Sequence, residues 1–167
     1  MFKIIEEFLT IEDLYEIEEI LEKSKWVHNN SSNLPTTHDT AIFWDITLKD
    51  KIFEDKILKK LKKYVDKKFE VTTVKINGQT YGLDGEWHRD NDDEGMYTFL
   101  IYASSIHPFN IEKIGGYTCF NINNQVIRVE PYEKRAVLFD SRIEHKGLAP
   151  LTKNMLRISI AFKLKEI

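Results

Sequence analysis

Leu156-Arg157-Ile158-Ser159-Ile160-Ala161-Phe162 is the stretch whose reading decides the fold. On an extended chain, successive side chains point to opposite faces. Ile158, Ile160, Phe162 and the following Leu164 then share one apolar face, while Arg157, Ser159 and Ala161 share the other. A guanidinium turned into a small β-barrel is costly unless an anion meets it. With a hydroxyl beside it, it is shaped to grip a carboxylate at two points. An internal Asp or Glu could supply that carboxylate. In a core this small a ligand is the favoured source.

Working outward from this strand, β-rich runs cover 71–76, 97–104, 117–122, 126–129 and 136–140. Asn77-Gly78, Gly115-Gly116 and Asn123-Asn124 are the expected turns between them. Ahead of this region the period changes to helical. Ile11, Leu14, Ile17, Ile20 and Leu21 recur at helix spacing behind Thr10, and Asp13 stands where it completes a capping box. Phe53, Ile57, Leu61, Tyr64 and Val65 stripe a second helix expected over 51–68. A short strand is expected at 2–9, another at 41–46, and a polar loop at 26–40. Two helices followed by many short strands predict an α+β, mainly β domain built as a sandwich or barrel.

The chain of 167 residues has the length of one domain with a real core. Its net charge of −3 gives no electrostatic reason to expect nucleic acid. Lysines 59, 60, 62, 63, 67 and 68 are diluted by Asp55, Asp66 and Glu70, and are expected on a solvated helix face. Cys119 is the single cysteine, so no internal disulfide forms. No run is apolar for long enough to span a bilayer, and the early acidic residues do not fit a signal peptide. A soluble, cytoplasmic protein is the expectation.

Candidate chemistry starts at Trp87-His88-Arg89-Asp90. On an extended backbone His88 and Asp90 lie on one face and can share a metal ion. His145, beyond the strand ending at Asp140, supplies a third ligand. Two histidines and one carboxylate leave one side of a metal open, as in non-haem Fe(II) oxygenases. Catalytic zinc uses the same donor types. Arg157 separates the two, because a zinc hydrolase leaves it unexplained while an anionic cosubstrate does not.

Further pieces fall in order around these residues. Tyr81-Gly82 precedes the H-x-D, and Thr98-Phe99-Leu100-Ile101-Tyr102 follows it. Gly115-Gly116-Tyr117-Thr118-Cys119-Phe120 is similar to a G-G-x-T-x-F pattern. Pro131 to Phe139 resembles P-x-x-G-x-x-x-x-F, with Lys134 or Arg135 where a glycine is common. His145 and Arg157-Ile158-Ser159 close the series. Together, over about 75–164, these pieces resemble the Fe(II)/2-oxoglutarate-dependent dioxygenases, in particular the prolyl-4-hydroxylase-like group.

The resemblance implies a double-stranded β-helix (jelly roll), with residues 71–164 as its core and residues 1–70 as helical support on one sheet. It implies Fe(II) on His88, Asp90 and His145. It also implies 2-oxoglutarate held by Arg157 and Ser159 with help from Tyr102 and Tyr81, O2 as oxidant, and ascorbate in a supporting part. The reaction implied is oxidative decarboxylation of 2-oxoglutarate coupled to hydroxylation of a prolyl or other peptide residue, or of a small molecule such as an amino acid. A cupin-like metal barrel and a non-catalytic acid-binding barrel are the competing expectations. The turn near Lys134 is expected to differ from the family, and the gap between His145 and Arg157 to hold an extra residue or two around 151–154.

Of the other residues, Trp87 is expected in the core and Cys119 in a strand. His28, His38 and His107 are expected to be ordinary surface or loop histidines, and Arg89 and Arg142 solvated charges. Residues 29–40, 91–95 and 104–114 are candidate rims of the site.

Overall fold

The computed structural model describes residues 1–30 and 41–167. In chain order it runs through β1 (Phe2–Ile5), α1 (Ile11–Lys23), β2 (Val27–Asn30), β3 (Phe43–Leu48), α2 (Lys51–Leu61), β4 (Phe69–Gln79) and β5 (Met96–Tyr102). A 3-10 turn at Pro108–Asn110 leads into the short α3 (Ile111–Ile114). Then come β6 (Thr118–Ile122), β7 (Gln125–Val129), β8 (Ala136–Asp140), β9 (His145–Gly147) and β10 (Arg157–Glu166). Seven strands form one antiparallel sheet in the order β1-β8-β5-β10-β4-β3-β2, and three form a second in the order β7-β6-β9.

The alternation along β10 sorts the molecule into layers. Ile160, Phe162 and Leu164 face a core completed by Val74, Ile76, Phe99 and Leu138 from neighbouring strands and by Ile17, Phe53, Ile57 and Leu61 from α1 and α2. The opposite face carries Leu100, Tyr102, Val137, Phe139 and Ala161, which pack with Phe120 and Val129 of the small sheet. The helices thus cover the large sheet's outer face, and its inner face is left for the small sheet and the site.

Helix α1 begins as its sequence dictates. The Thr10 hydroxyl accepts from the Asp13 N–H at 3.2 Å, and the Thr10 N–H donates to Asp13 Oδ2 at 2.8 Å. Asp13 does more than cap, since it is buried between the helices and paired with Lys56 and Lys60 of α2. Burial alone would raise its pKa, but those two ammonium groups hold the carboxyl well below the usual range. The basic segment is therefore not purely a solvated face.

Several expected boundaries move. Helix α2 stops at Leu61 rather than 68, with Tyr64 and Val65 packing on the core beyond its end. Residues 27–30, expected in a loop, pair with β3, while 31–40 lie outside the described residues. Asn77-Gly78 is not a turn: β4 runs on to Gln79, paired with β10 on one side and β3 on the other. Gly78 is needed there because a Cβ would sit 2.9 Å from the Trp26 ring.

The turn at Lys134 keeps the conformation that a glycine would give it. Lys134 has φ +73°, its carbonyl accepts from the Phe8 N–H at 2.8 Å, and its N–H donates to Tyr102 O at 3.3 Å. A β-carbon there costs about 1–2 kcal/mol, partly offset by the smaller entropy of an unfolded lysine relative to glycine. Lys134→Gly is expected to stabilise the protein by about 0.5–1 kcal/mol, read as a rise in urea midpoint at unchanged slope.

Candidate metal centre and anion pocket

His88 and His145 are joined through their backbones. Each N–H donates to the other's carbonyl, at 3.0 and 2.9 Å, in an isolated antiparallel bridge. Directly opposed residues put their side chains on the same side, and the two rings lie 4.4 Å apart. In each ring Nδ1 bonds a carbonyl two residues back, Glu86 O for His88 and Ile143 O for His145, both at 2.9 Å. With Nδ1 as donor, Nε2 is left with a free lone pair. Both Nε2 atoms turn toward Asp90, at 3.5 Å from Oδ1 for His88 and 3.6 Å from Oδ2 for His145.

Asp90 is held by its own set of partners. Its N–H donates to Ser141 O at 3.1 Å, and its Oδ2 accepts from Thr98 Oγ1 at 2.5 Å and pairs with the Lys163 ammonium. Burial pushes the carboxyl's pKa up, but the His88 hydrogen bond and the charges of Lys163 and His145 outweigh it and hold the group well below the usual carboxylate range. Burial pushes the His145 imidazole down to about 4, against the opposing pull of Asp90. The trio is two imidazoles and one carboxylate, with one donor atom from each within 4.8 Å of the others. This donor set fits one divalent first-row ion, and it serves Fe(II) and Zn(II) alike.

The same burial has a consequence for stability. Unfolding restores the ordinary affinity of His145 for a proton, so the unfolded chain binds more protons than the native one between pH 6.5 and about 4. The contribution of neutral His145 is complete above pH 6.5 and is lost as pH falls through that window, by up to roughly 3 kcal/mol. Urea melts of the metal-free protein at pH 7, 5.5 and 4.5 are expected to show that slope, and His145→Gln to flatten it.

A cavity of about 280 Å³ runs from the trio to Arg157. Arg157 is buried on β10 at 2 % exposure. Its Nε donates to Gly116 O at 2.6 Å, Nη2 to Thr118 Oγ1 at 2.8 Å, and Nη1 to Gln79 Oε1 at 2.7 Å and to Ser159 Oγ at 3.4 Å. Every one of these partners is neutral. Among the described residues no carboxylate balances the charge, so an internal Asp or Glu is not its partner. Burial accordingly pushes its pKa down. A guanidinium carries five N–H donors, and these four bonds leave one of them over. Thr118 Oγ1 also accepts from the Tyr102 hydroxyl at 2.8 Å. Both acceptor sites of that hydroxyl are then filled, and its proton is available to the cavity it lines.

The glycines here make room for these contacts. Gly116 has φ +80°, and a Cβ on it would lie 3.2 Å from Arg157 Cδ. A Cβ on Gly147 would lie 2.8 Å from Gln79 Oε1. The G-G-x-T run is thus a close approach of backbone to guanidinium followed by that guanidinium's hydroxyl partner.

The structure brings His88, Asp90, His145, Arg157 and Ser159 to one cavity. Tyr102 is buried behind it and reaches Arg157 through Thr118. Tyr81 is not brought to the cavity; it is 52 % exposed beneath the Lys153 ammonium. Trp87, expected in the core, is half-buried with Lys146 over its ring. Cys119 is buried in β6 as expected, and burial raises its thiol pKa. Arg142 is spent on Asp140, and His28 packs on Trp44. His38 lies outside the described residues. Sequence reasoning missed Gln79, Thr98, Thr118 and Lys163. Lys163 was within reach, because it continues the Arg157, Ser159, Ala161 face by two residues.

No family model and no curated protein matches this sequence. Solved structures do match its fold. A prolyl hydroxylase from Trichoplax adhaerens, in complex with a hypoxia inducible factor oxygen degradation domain peptide fragment, superposes with a TM-score of 0.72 at 16 % identity, over 99 % of this chain and 83 % of that one. A Pseudomonas putida prolyl-4-hydroxylase superposes at 0.71 and 14 % identity, over 98 % of this chain and 92 % of that one. The chain shares a jelly-roll-like fold with these proteins. HygX from Streptomyces hygroscopicus, with nickel, 2-oxoglutarate and hygromycin B bound, shares this fold at a TM-score of 0.72 and 13 % identity, over 98 % of this chain and 82 % of that one.

Proposed function

We propose that this chain is a 2-oxoglutarate- and Fe(II)-dependent dioxygenase. The observation that carries the reading is Arg157, a buried cation with no counter-ion among the described residues, at the far end of a cavity that begins at a two-histidine, one-carboxylate face. A zinc hydrolase explains the face but not the arginine. A dianionic oxo-acid that chelates a metal at one end and meets Arg157 at the other explains both.

Each residue then has a task. His88, Asp90 and His145 hold the metal, with the imidazoles oriented by the Glu86 and Ile143 carbonyls. Arg157, Ser159 and Thr118 receive the far carboxylate, while Gln79 and Gly116 orient the guanidinium. Tyr102 keeps Thr118 turned to the cavity. Leu100, Phe139 and Ala161 make part of the wall apolar, which excludes water from the reacting centre. When bound, Fe(II) and 2-oxoglutarate supply O2 activation and C–H hydroxylation with loss of CO2.

The substrate read here is a prolyl or other residue of a peptide or protein, in keeping with the peptide held by the Trichoplax neighbour. A small molecule is the second reading, favoured by the HygX complex with hygromycin B. The whole chain works as one domain, with 71–164 as a double-stranded β-helix and 1–70 as its support. Among the described residues no helix is long and apolar enough to cross a membrane. With a single buried cysteine, a reducing, cytoplasmic setting is the proposed location.

Calorimetric titration of 2-oxoglutarate tests the reading, with Zn(II) as an inert stand-in. Binding at least tenfold tighter to the metal-loaded than to the metal-free protein is expected. Equal affinity, or no binding to the loaded protein, would reject it.

A further inference from the structure

Charge at the mouth of the cavity goes beyond what the metal and the oxo-acid require. Besides Arg157, the lining includes the cations Lys75, Arg89 and Lys163, and Asp90 is the one carboxylate among the described lining residues. The protein as a whole is acidic, with net charge −3, so this positive lining is local. Two of the three cations are answered outside the site. Lys75 pairs with Asp45 at 3.0 Å, and Arg89 with Asp92 at 3.4 Å. Among the described residues Lys163 pairs only with Asp90.

We infer that the substrate carries a carboxylate that Lys163 receives, with Lys75 beside it. The inference rests on the dioxygenase reading, and it follows from the charges that reading assembles. A divalent metal, Asp90, Arg157 and the dianionic oxo-acid together sum to neutral. Asp90 then serves the metal, and Lys163 remains as one unmatched positive charge. Its side chain is 27 % exposed, too buried to be treated as fully solvated. Lys75 stands opposite Ala161 in the β4–β10 register, two residues from Lys163 on the same sheet face. Diagonal neighbours at that spacing lie within reach of long side chains. The pair lies on the β4 side of β10, and Phe43 of β3 lines the same cavity.

The probe is acetate, with acetamide as its neutral isostere, titrated into the full chain loaded with Zn(II) and 2-oxoglutarate. Side-chain NMR signals of Lys163 and Lys75 report binding, the former assigned by its loss in K163Q. Saturable shifts at both lysines with acetate and none with acetamide are expected. K163Q should weaken the acetate response at Lys75 at least fivefold, K163R should restore it, and 2-oxoglutarate affinity should change by less than about threefold. No saturable shift, or the same shift with acetamide, overturns the proposal. So does loss of 2-oxoglutarate binding in K163Q, which would assign Lys163 to the cosubstrate. Failure of the dioxygenase reading looks different, since the wild type would then bind 2-oxoglutarate no tighter with metal than without it, or not at all. The source of the carboxylate is read from succinate release with matched acids and amides, namely free amino acids against their amides and blocked Pro-Glu against blocked Pro-Gln dipeptides. The acid of one pair should be preferred at least tenfold; equal rates within both pairs count against the proposal.

Discussion

Replacing Asp90 with alanine is expected to remove tight metal binding while leaving the chain folded. Asp90 is the one carboxylate of the trio, and it supplies the negative charge that draws a divalent cation to the two imidazoles. Removing even a residue that only supports a ligand typically costs 10–100-fold in metal affinity, so deleting the ligand itself should cost more than about a hundredfold. The fold has little reason to fail, because the groups that lose a partner are Thr98 Oγ1, the Lys163 ammonium and the two imidazoles, and none of them belongs to the apolar cores. Zn(II) titration against a chromophoric chelator reads the affinity, and thermal melting checks the fold. Asp93→Ala is the control. Asp93 lies in the exposed acidic run after the site, with its N–H on Asn91 Oδ1, and its removal should leave affinity unchanged. Equal loss in both variants would mean that the ion is held by the acidic run.

Arg157→Ala is expected to separate cosubstrate from metal. The guanidinium is fixed by four bonds to neutral groups and has one N–H left over, so a far carboxylate meets a donor already in place. Truncating one side of such a buried, charge-assisted contact costs 2–5 kcal/mol. A value of about 3 kcal/mol corresponds to more than a hundredfold in the Kd for 2-oxoglutarate. Metal affinity should change by no more than a few-fold, since none of the bonds made by Arg157 reaches the trio. Arg157→Lys should fall between, because it keeps the charge and loses the fork. Parallel loss of metal and 2-oxoglutarate would mark Arg157 as a structural strut. Calorimetry with each ligand in turn separates these outcomes.

Much of this arrangement was legible in the sequence because alternation is a local property. The two faces of β10 followed from residue order alone, and so did the capping box at Thr10. What was hidden depends on partners distant in sequence. Asn77-Gly78 carries a strong local turn signal, yet pairing with β10 and β3 and the space needed by Trp26 keep it in a strand. That misreading also concealed Gln79, which orients Arg157. Helix α2 ends early although Tyr64 and Val65 continue its apolar spacing, for both can pack on the core without being helical. Tyr81 sits near the metal ligands in sequence but faces solvent under Lys153. Asp13 shows the reverse, since a residue read only as a cap turns out to tie two helices together.

The most direct test of the central claim combines the metal face and the anion pocket in one spectrum. Fe(II) and 2-oxoglutarate are added to the protein without oxygen, and the visible region is scanned for the weak charge-transfer band of the chelate. The band is predicted in the wild type, with none when 2-oxoglutarate is omitted, when Zn(II) replaces Fe(II), or in Asp90→Ala. A wild-type protein that holds Fe(II) and shows no band at saturating 2-oxoglutarate would contradict the account.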